Sequence, residues 1–157
     1  MPRVAIALGS NLGDRRHHLE TAIDLLMPHL RQALVSTFLD TPAEGVPDDQ
    51  PRYLNAALVG EAQLPPAALL KRLLSIEEQL GRTRPYWGAP RIIDLDLILY
   101  DDVQLHETGL HVPHLRFRER RFVLAPLAEI VPTMVDPETG LTVEALLARL
   151  TSPGRRP

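Results

Sequence analysis

Cysteine is absent from the 157 residues, which excludes disulfides, thiolate metal ligands and a cysteine nucleophile together. Aromatic residues are scarce at 4%, with a single tryptophan, Trp87. No apolar run is long enough to cross a bilayer, and the N-terminal MPRVAIALGSN has too short an apolar stretch for a secretory signal. A cytoplasmic protein without a membrane partner is therefore expected. Positive charge is not in excess either, since the formal net charge is -3. Such a chain offers no global field for a nucleic-acid backbone, and no nucleic-acid partner is expected, although arginines cluster locally at 82 to 91 and 116 to 121. Internal repeats and low-complexity tracts are missing. What is present, 45% hydrophobic and 24% charged residues, suits one domain over residues 1–157 with a sizeable core; TSPGRRP from about 151 reads as a frayed tail, and a monomer is the expectation.

The apolar pattern divides the chain into alternating elements. Val4, Ile6 and Leu8 alternate with small residues and end at Gly9-Ser10-Asn11, which predicts a strand running into a turn. Asp14 can cap a helix from Arg15 to about Leu30, where Leu19, Ala22, Ile23, Leu26 and Leu30 recur at helical spacing. A strand over Ala33 to Leu39, a long polar loop through DTPAEGVPDDQPR and a strand over Tyr53 to Ala62 follow. Pro65 and Pro66 open a helix whose stripe is Leu69, Leu70, Leu73, Ile76 and Leu80, ending at Gly81. The loop RTRPYWGAP leads to a further strand, with Asp101-Asp102 turning into a short one near Val103 to Leu105. Helical turns are expected near Leu115 to Arg120 and Pro126 to Ile130, and a terminal helix from about Thr142 to Leu150. The order β-α-β-β-α-β predicts an α+β ferredoxin-like sandwich: an antiparallel sheet with helices packed on one face and C-terminal elaborations.

Within that pattern the stretch APRIIDLDLILYDD, residues 89 to 102, is anomalous. Aspartate is a poor strand former, yet Asp94 and Asp96 interrupt a run of aliphatics. Period-two alternation sends Ile93, Leu95, Leu97 and Leu99 to one face and both aspartates to the other, roughly 7 Å apart along the strand. Two readings are open: solvent-facing carboxylates on a half-exposed strand, or a pair held together by a cation. Magnesium favours hard oxygen ligands and commonly bridges one or two carboxylates to substrate phosphates. Upstream, Arg82, Arg84 and Arg91 flank a loop with Tyr86 and Trp87. Guanidinium groups clamp phosphate with paired donors, although ordinary surface arginines would look the same one by one. Metal ligands and anion clamps are the parts that phosphoryl transfer chiefly requires.

Other candidates are weaker. GSNLGDR lacks the lysine and glycine spacing of a phosphate loop, so Gly9 reads as a point of close backbone approach. His106, His111 and His114 do not fall in a zinc-binding pattern, and no zinc site is expected. Arg116, Arg118, Arg120 and Arg121 form a solvated face or an anion funnel, and Tyr53 and Phe122 are core aromatics or stacking residues.

Taken in order, GSNLGDR (9–15), Thr41-Pro42, YLNAA (53–57), IEEQLGRTR (76–84), APRIIDLDLILYDD (89–102), VPH (112–114) and RxFVLxPLxEIxP ending at Pro132 resemble the hydroxymethyl-dihydropterin pyrophosphokinase family over nearly the whole chain. The resemblance implies transfer of pyrophosphate from ATP to the pterin hydroxymethyl oxygen, with release of AMP, in folate biosynthesis. It implies that Asp94 and Asp96 hold two magnesium ions. Arg82 and Arg91 would act with them in catalysis, Arg91 also touching ATP alongside Glu77, Arg84, Ile98, His114 and Arg120. Tyr53 and Phe122 would sandwich the pterin, Asn55 would bond its edge, and Thr41, Pro42 and Trp87 would complete the pocket. The loops at about 43 to 51 and 83 to 90 would close over ATP. Two alternatives stay open on the residues themselves: another magnesium-dependent phosphoryl or nucleotidyl transferase using the same carboxylates, and a ferredoxin-like binding module without catalysis.

Overall fold

The computed structural model describes residues 1–43, 51–81 and 92–151. Both predicted loops fall largely outside this range, as do Arg82, Arg84, Trp87, Arg91 and the tail beyond 151. β1 (Arg3–Ser10) leads into α1 (Arg15–Leu26), which Asp14 caps by accepting the His17 N–H at 3.2 Å. The helix ends four residues earlier than its apolar spacing predicts. Pro28 lacks an N–H and tightens Met27–His29 into a 3-10 turn, so Leu30 opens the next strand instead.

The predicted strand over Ala33 to Leu39 is two strands, β2 (Leu30–Val35) and β3 (Leu39–Thr41), both paired with β4 (Tyr53–Ala62). Ser36 breaks the run. Its N–H bonds the Ala57 carbonyl at 2.9 Å and its hydroxyl accepts the Ala57 N–H at 2.8 Å, replacing ladder bonds with a side-chain bond. α2 (Pro66–Gln79) then crosses to β5 (Asp94–Tyr100), and Gly81, at φ +85°, closes the helix as its sequence position suggests.

The sheet order is β2-β4-β1-β5, antiparallel throughout, with β3 beside β4. This is the expected ferredoxin-like α+β arrangement. Val4, Ile6, Leu8, Leu54, Leu58, Leu95 and Leu97 pack one sheet face against Leu19 and Leu26 of α1 and Leu69, Leu73 and Ile76 of α2. Each such fully buried side chain contributes about 1.5–3 kcal/mol.

The opposite face is covered too, a difference from the one-sided expectation. Beyond β5 the chain forms a hairpin of β6 (Leu105–Glu107) and β7 (Leu110–Val112), a 3-10 turn over Phe117–Glu119, α3 (Arg121–Ile130) and α4 (Val143–Thr151). Pro126 lies inside α3 rather than starting it. The buried stripe Val123, Leu124 and Leu127 carries the helix through that residue, docking on Ala5, Ala7, Ala57 and Val59. Small residues on β1 and β4 let α3 approach closely.

Leu99 departs from the alternation. Ala5 pairs with Leu99 but Ile6 pairs with Leu97, so Ile98 is an extra residue, a bulge in β5. Alternation already sends Ile98 to the second core; the bulge sends Leu99 there as well and returns Tyr100 to the first. No helix among the described residues is long and apolar enough to cross a membrane.

Candidate active site

Among the described residues, α3 and α4 cover one end of the second sheet face. At the other end four strands come into register. Asp94 of β5 stands opposite Gly9 of β1, Gly9 opposite Asn55 of β4, and Asn55 opposite Leu39 of β3. One step inward, Asp96 stands opposite Ala7. Gly9 carries no side chain, so a trough about 9.6 Å across, two strand spacings, separates the Asp94 row from Asn55. A Cβ placed on Gly9 would lie 3.4 Å from both the Asn55 Oδ1 and the Tyr53 Cδ1. The absent side chain is what keeps the trough open.

The amide wall is firmly set. Asn55 is buried, and its Nδ2 donates to the Thr41 Oγ1 at 2.8 Å and to the Leu39 carbonyl at 3.3 Å. Thr41 stands opposite Tyr53 on the same pair of strands, and Pro42 follows, exposed, at the strand's end. Behind them Asp40 takes Arg15 at 3.0 Å and Arg52 at 2.8 Å. Hydrogen bonds from Arg15 and then Arg52 hold its carboxyl below the usual range. From α3, Glu129 accepts both the Thr37 N–H at 3.0 Å and its hydroxyl at 2.8 Å, pinning the segment that leads into β3. Neither Asp40 nor Glu129 stands out as a site residue in the sequence. Glu129 lies in the RxFVLxPLxEIxP pattern, and that position was the available signal.

Asp94 and Asp96 occupy the same face of β5, both half-buried, as the alternation predicts. The backbone between them is fixed from the other side of the sheet: buried Glu77 on α2 accepts the Leu95 N–H at 2.8 Å. β5 is an edge strand, so this carboxylate occupies a donor that would otherwise meet solvent. Ile98, assigned to the nucleotide by resemblance, follows Asp94 and Asp96 on the same face of β5. Its side chain is completely buried in the second core, and its carbonyl accepts the His114 N–H at 2.9 Å. That bond holds His114 in place.

His114 brings its Nε2 to 3.9 Å from the Asp96 Oδ1. Burial, and then the charge of Arg120, push its pKa down to about 4 against the opposing pull of Asp94. The imidazole is thus neutral at pH 7, and the Asp96 contact is dipolar rather than an ion pair. Arg120 stacks over the Phe122 ring at 5.7 Å, joining the histidine side of the site to the start of α3. Asp94, Asp96 and His114 thus lie together with the charge of Arg120 acting on the histidine, while Thr41, Tyr53 and Asn55 form the other wall. An open cavity of about 400 Å³ lies by the β1–α1 turn, lined by Asn11, Leu12, Gly13, Arg15, Pro51 and Arg52. It includes none of the predicted site residues, and its two arginines are committed to Asp40.

An acidic pair and an amide-lined wall flanking a glycine trough can receive a polyanion with its cations on one side and a flat hydrogen-bonding ring on the other. The sequence pattern described as 7,8-dihydro-6-hydroxymethylpterin-pyrophosphokinase matches residues 5–132. A 2-amino-4-hydroxy-6-hydroxymethyldihydropteridine pyrophosphokinase of Methylorubrum extorquens is 42% identical over 156 residues, covering 98% of this chain and 97% of that protein. The protein of the same description from Bacillus subtilis is 44% identical over 127 residues, covering 80% and 75%. Among solved structures, Plasmodium falciparum HPPK-DHPS with pteroate matches with a TM-score of 0.74 at 15% identity, a likeness of fold. The match covers 96% of this chain and 43% of the larger one.

Proposed function

The chain belongs to the 7,8-dihydro-6-hydroxymethylpterin-pyrophosphokinase family, and from that membership we propose how its open sheet end works on ATP and 6-hydroxymethyl-7,8-dihydropterin. The activity is transfer of pyrophosphate from ATP to the pterin hydroxymethyl oxygen, with release of AMP, a step of folate biosynthesis. One observation supports this reading above the others: Asp94, Gly9 and Asn55 form a single row across three strands, carboxylate, gap and amide. That row can align a triphosphate and a heterocycle with the hydroxymethyl arm between them.

The donor set at Asp94 and Asp96 fits magnesium, being hard carboxylate oxygens on one rigid strand beside a neutral imidazole. Those two residues would hold two ions, which when bound neutralise phosphate charge and polarise the β-phosphoryl group. Asn55 and Thr41 bond the pterin edge, while Tyr53 and Phe122 stack on its faces. His114, neutral at pH 7, can donate or accept a hydrogen bond at the phosphates without adding charge. Arg120 supplies a cation on the same side, and Glu77 acts indirectly by fixing the backbone between the aspartates. Arg82, Arg84, Arg91 and Trp87 belong to the proposal by resemblance: the arginines as clamps on transferring charge, Trp87 as a further wall of the pterin pocket. Catalysis is then largely alignment and charge stabilisation, because both substrates react at positions that the strand register sets.

The test is incubation with ATP, magnesium and hydroxymethyl-dihydropterin, followed by chromatography. AMP appearing in step with a diphosphorylated pterin is expected. Pterin-dependent ADP, or no pterin-dependent nucleotide product, would refute the proposal.

A further inference from the structure

Two pairs of imidazoles lie close together among the described residues, His17 with His18 at 6.1 Å between ring centres and His106 with His111 on the β6–β7 hairpin, and only the second brings ring nitrogens into contact. The chain carries no zinc motif in sequence, yet His106 and His111 are directly opposed across the two strands. Their rings lie 5.4 Å apart with a 34° tilt, and the two Nδ1 atoms are 3.1 Å apart. With metal–nitrogen bonds of about 2.0–2.1 Å, an ion equidistant from both nitrogens would subtend roughly 98°, between octahedral and tetrahedral values. The N···N span therefore already suits a two-nitrogen chelate, once the rings turn so that both lone pairs aim at the ion rather than at one another.

The surroundings favour the same use. The His106 Nε2 bonds the Glu138 carboxylate, so that nitrogen carries the proton and the Nδ1 presents its lone pair toward His111. A metal-bound imidazole characteristically gives its second N–H to a carboxylate, which fixes the tautomer and strengthens the ligand. Glu138 is itself anchored: Arg118 donates to it at 3.2 Å, and its N–H bonds the buried Asp136 at 3.1 Å. Arg118 grips Asp136 through two bonds, of 2.6 and 2.9 Å. His106 is 40% exposed, so an ion can reach it from solvent. Among the described residues no group of three or more His, Cys, Asp or Glu could hold a metal ion, so water would fill the remaining positions.

We propose that His106 and His111 form a surface site for a borderline divalent transition-metal ion such as Zn2+, with Glu138 as the carboxylate that orients His106. Imidazole nitrogen suits zinc, nickel and copper, whereas magnesium prefers the oxygens of Asp94 and Asp96. With an ion bound, His111 presents Nδ1 to the metal and carries its ring proton on Nε2. The ion would tie β6 to β7, whose last residue, Val112, leads directly into Pro113 and His114. This inference does not depend on the pyrophosphokinase reading.

Calorimetric titration of Zn2+ into the whole protein in excess Mg2+ tests it. One site is expected, weakened at least tenfold in His106→Ala and in His111→Ala, and about tenfold in Glu138→Gln. It should persist in the Asp94→Ala/Asp96→Ala and His17→Ala/His18→Ala double variants. His111→Gln, with circular dichroism of each variant, separates lost ligation from lost folding, and zinc-dependent shifts of the His106 and His111 ring signals give an independent readout. Absence of binding, unchanged affinity in folded His106 and His111 variants, or loss confined to the Asp94/Asp96 variant would overturn the assignment.

Discussion

The two ends of one sheet face share strands and alternation but have opposite fates. At one end Ala5, Ala7, Ala57 and Val59 lie beneath α3 and α4 and are excluded from water. Four residues along β1, roughly 14 Å at strand rise, Gly9 stands between Asp94 and Asn55, covered among the described residues by the Tyr53 and Asn55 side chains rather than by α3 or α4. What decides between them is side-chain size and polarity at equivalent positions. Small apolar residues invite a helix to dock, whereas a glycine between polar neighbours leaves a trough for a ligand. Stability and function are thereby assigned to different stretches of the same three strands.

Substitutions at the open end should therefore remove activity without unfolding the protein, and substitutions at the covered end should do the reverse. Asp94→Ala or Asp96→Ala should lower turnover at least about a thousandfold, near 4 kcal/mol. Thermal unfolding should reveal stability within about 0.5 kcal/mol of the parent. Fully buried Leu127 offers the mirror case, since Leu127→Ala should cost about 2–4 kcal/mol of stability through its cavity. Denaturant titration measures that loss, and turnover per folded molecule should change little.

Asp136 braces the covered end from outside. Burial alone would raise its carboxyl, but Arg118, Thr139 and the Glu138 N–H together outweigh burial and hold it below the usual 3.8. The unfolded chain then binds this proton more readily than the folded one. The resulting stability is present above about pH 4 and is lost as pH falls through the lower folded value. Asp136→Ala should cost about 2–3 kcal/mol at pH 7, less than a wholly buried pair because Arg118 keeps Glu138 and some solvent. Unfolding measured across pH 2 to 7 should show a shallower acid limb in this variant.

Gly9→Ala gives the smallest expected effect and the sharpest contrast. Its Cβ would make ordinary contacts at 3.4 Å, so stability should hold within about 0.5 kcal/mol, while pterin affinity falls about tenfold. Equal losses of stability and affinity would show that the trough is only a packing feature.

Much of this division was legible in the chain. The Tyr53–Ala62 strand has the predicted bounds, Asp14 and Gly81 cap their helices as their chemistry suggests, and the Asp94/Asp96 alternation places both carboxylates on one face. The failures have local causes. Leu99 changes face because a bulge adds one residue, which periodicity cannot register. The β6–β7 hairpin turns at Gly109, at φ +79°, within strands of three residues each, too short for alternation to reveal. Cover by α3 depends on contacts between residues far apart in sequence, such as Leu124 with the β1 and β4 alanines. The predicted roles of Arg82, Arg84, Trp87 and Arg91 concern residues outside those described.

The central claim is that the uncovered end alone receives the cation-bound triphosphate. It is tested most directly by magnetic resonance with Mn2+ and a nonhydrolysable ATP analogue, comparing amide broadening along single strands. Signals of Gly9, Asp94 and Asp96 should vanish while those of Ala5 and Val59 persist. Equal broadening at both ends, or broadening centred on Ala5 and Val59, would contradict the account.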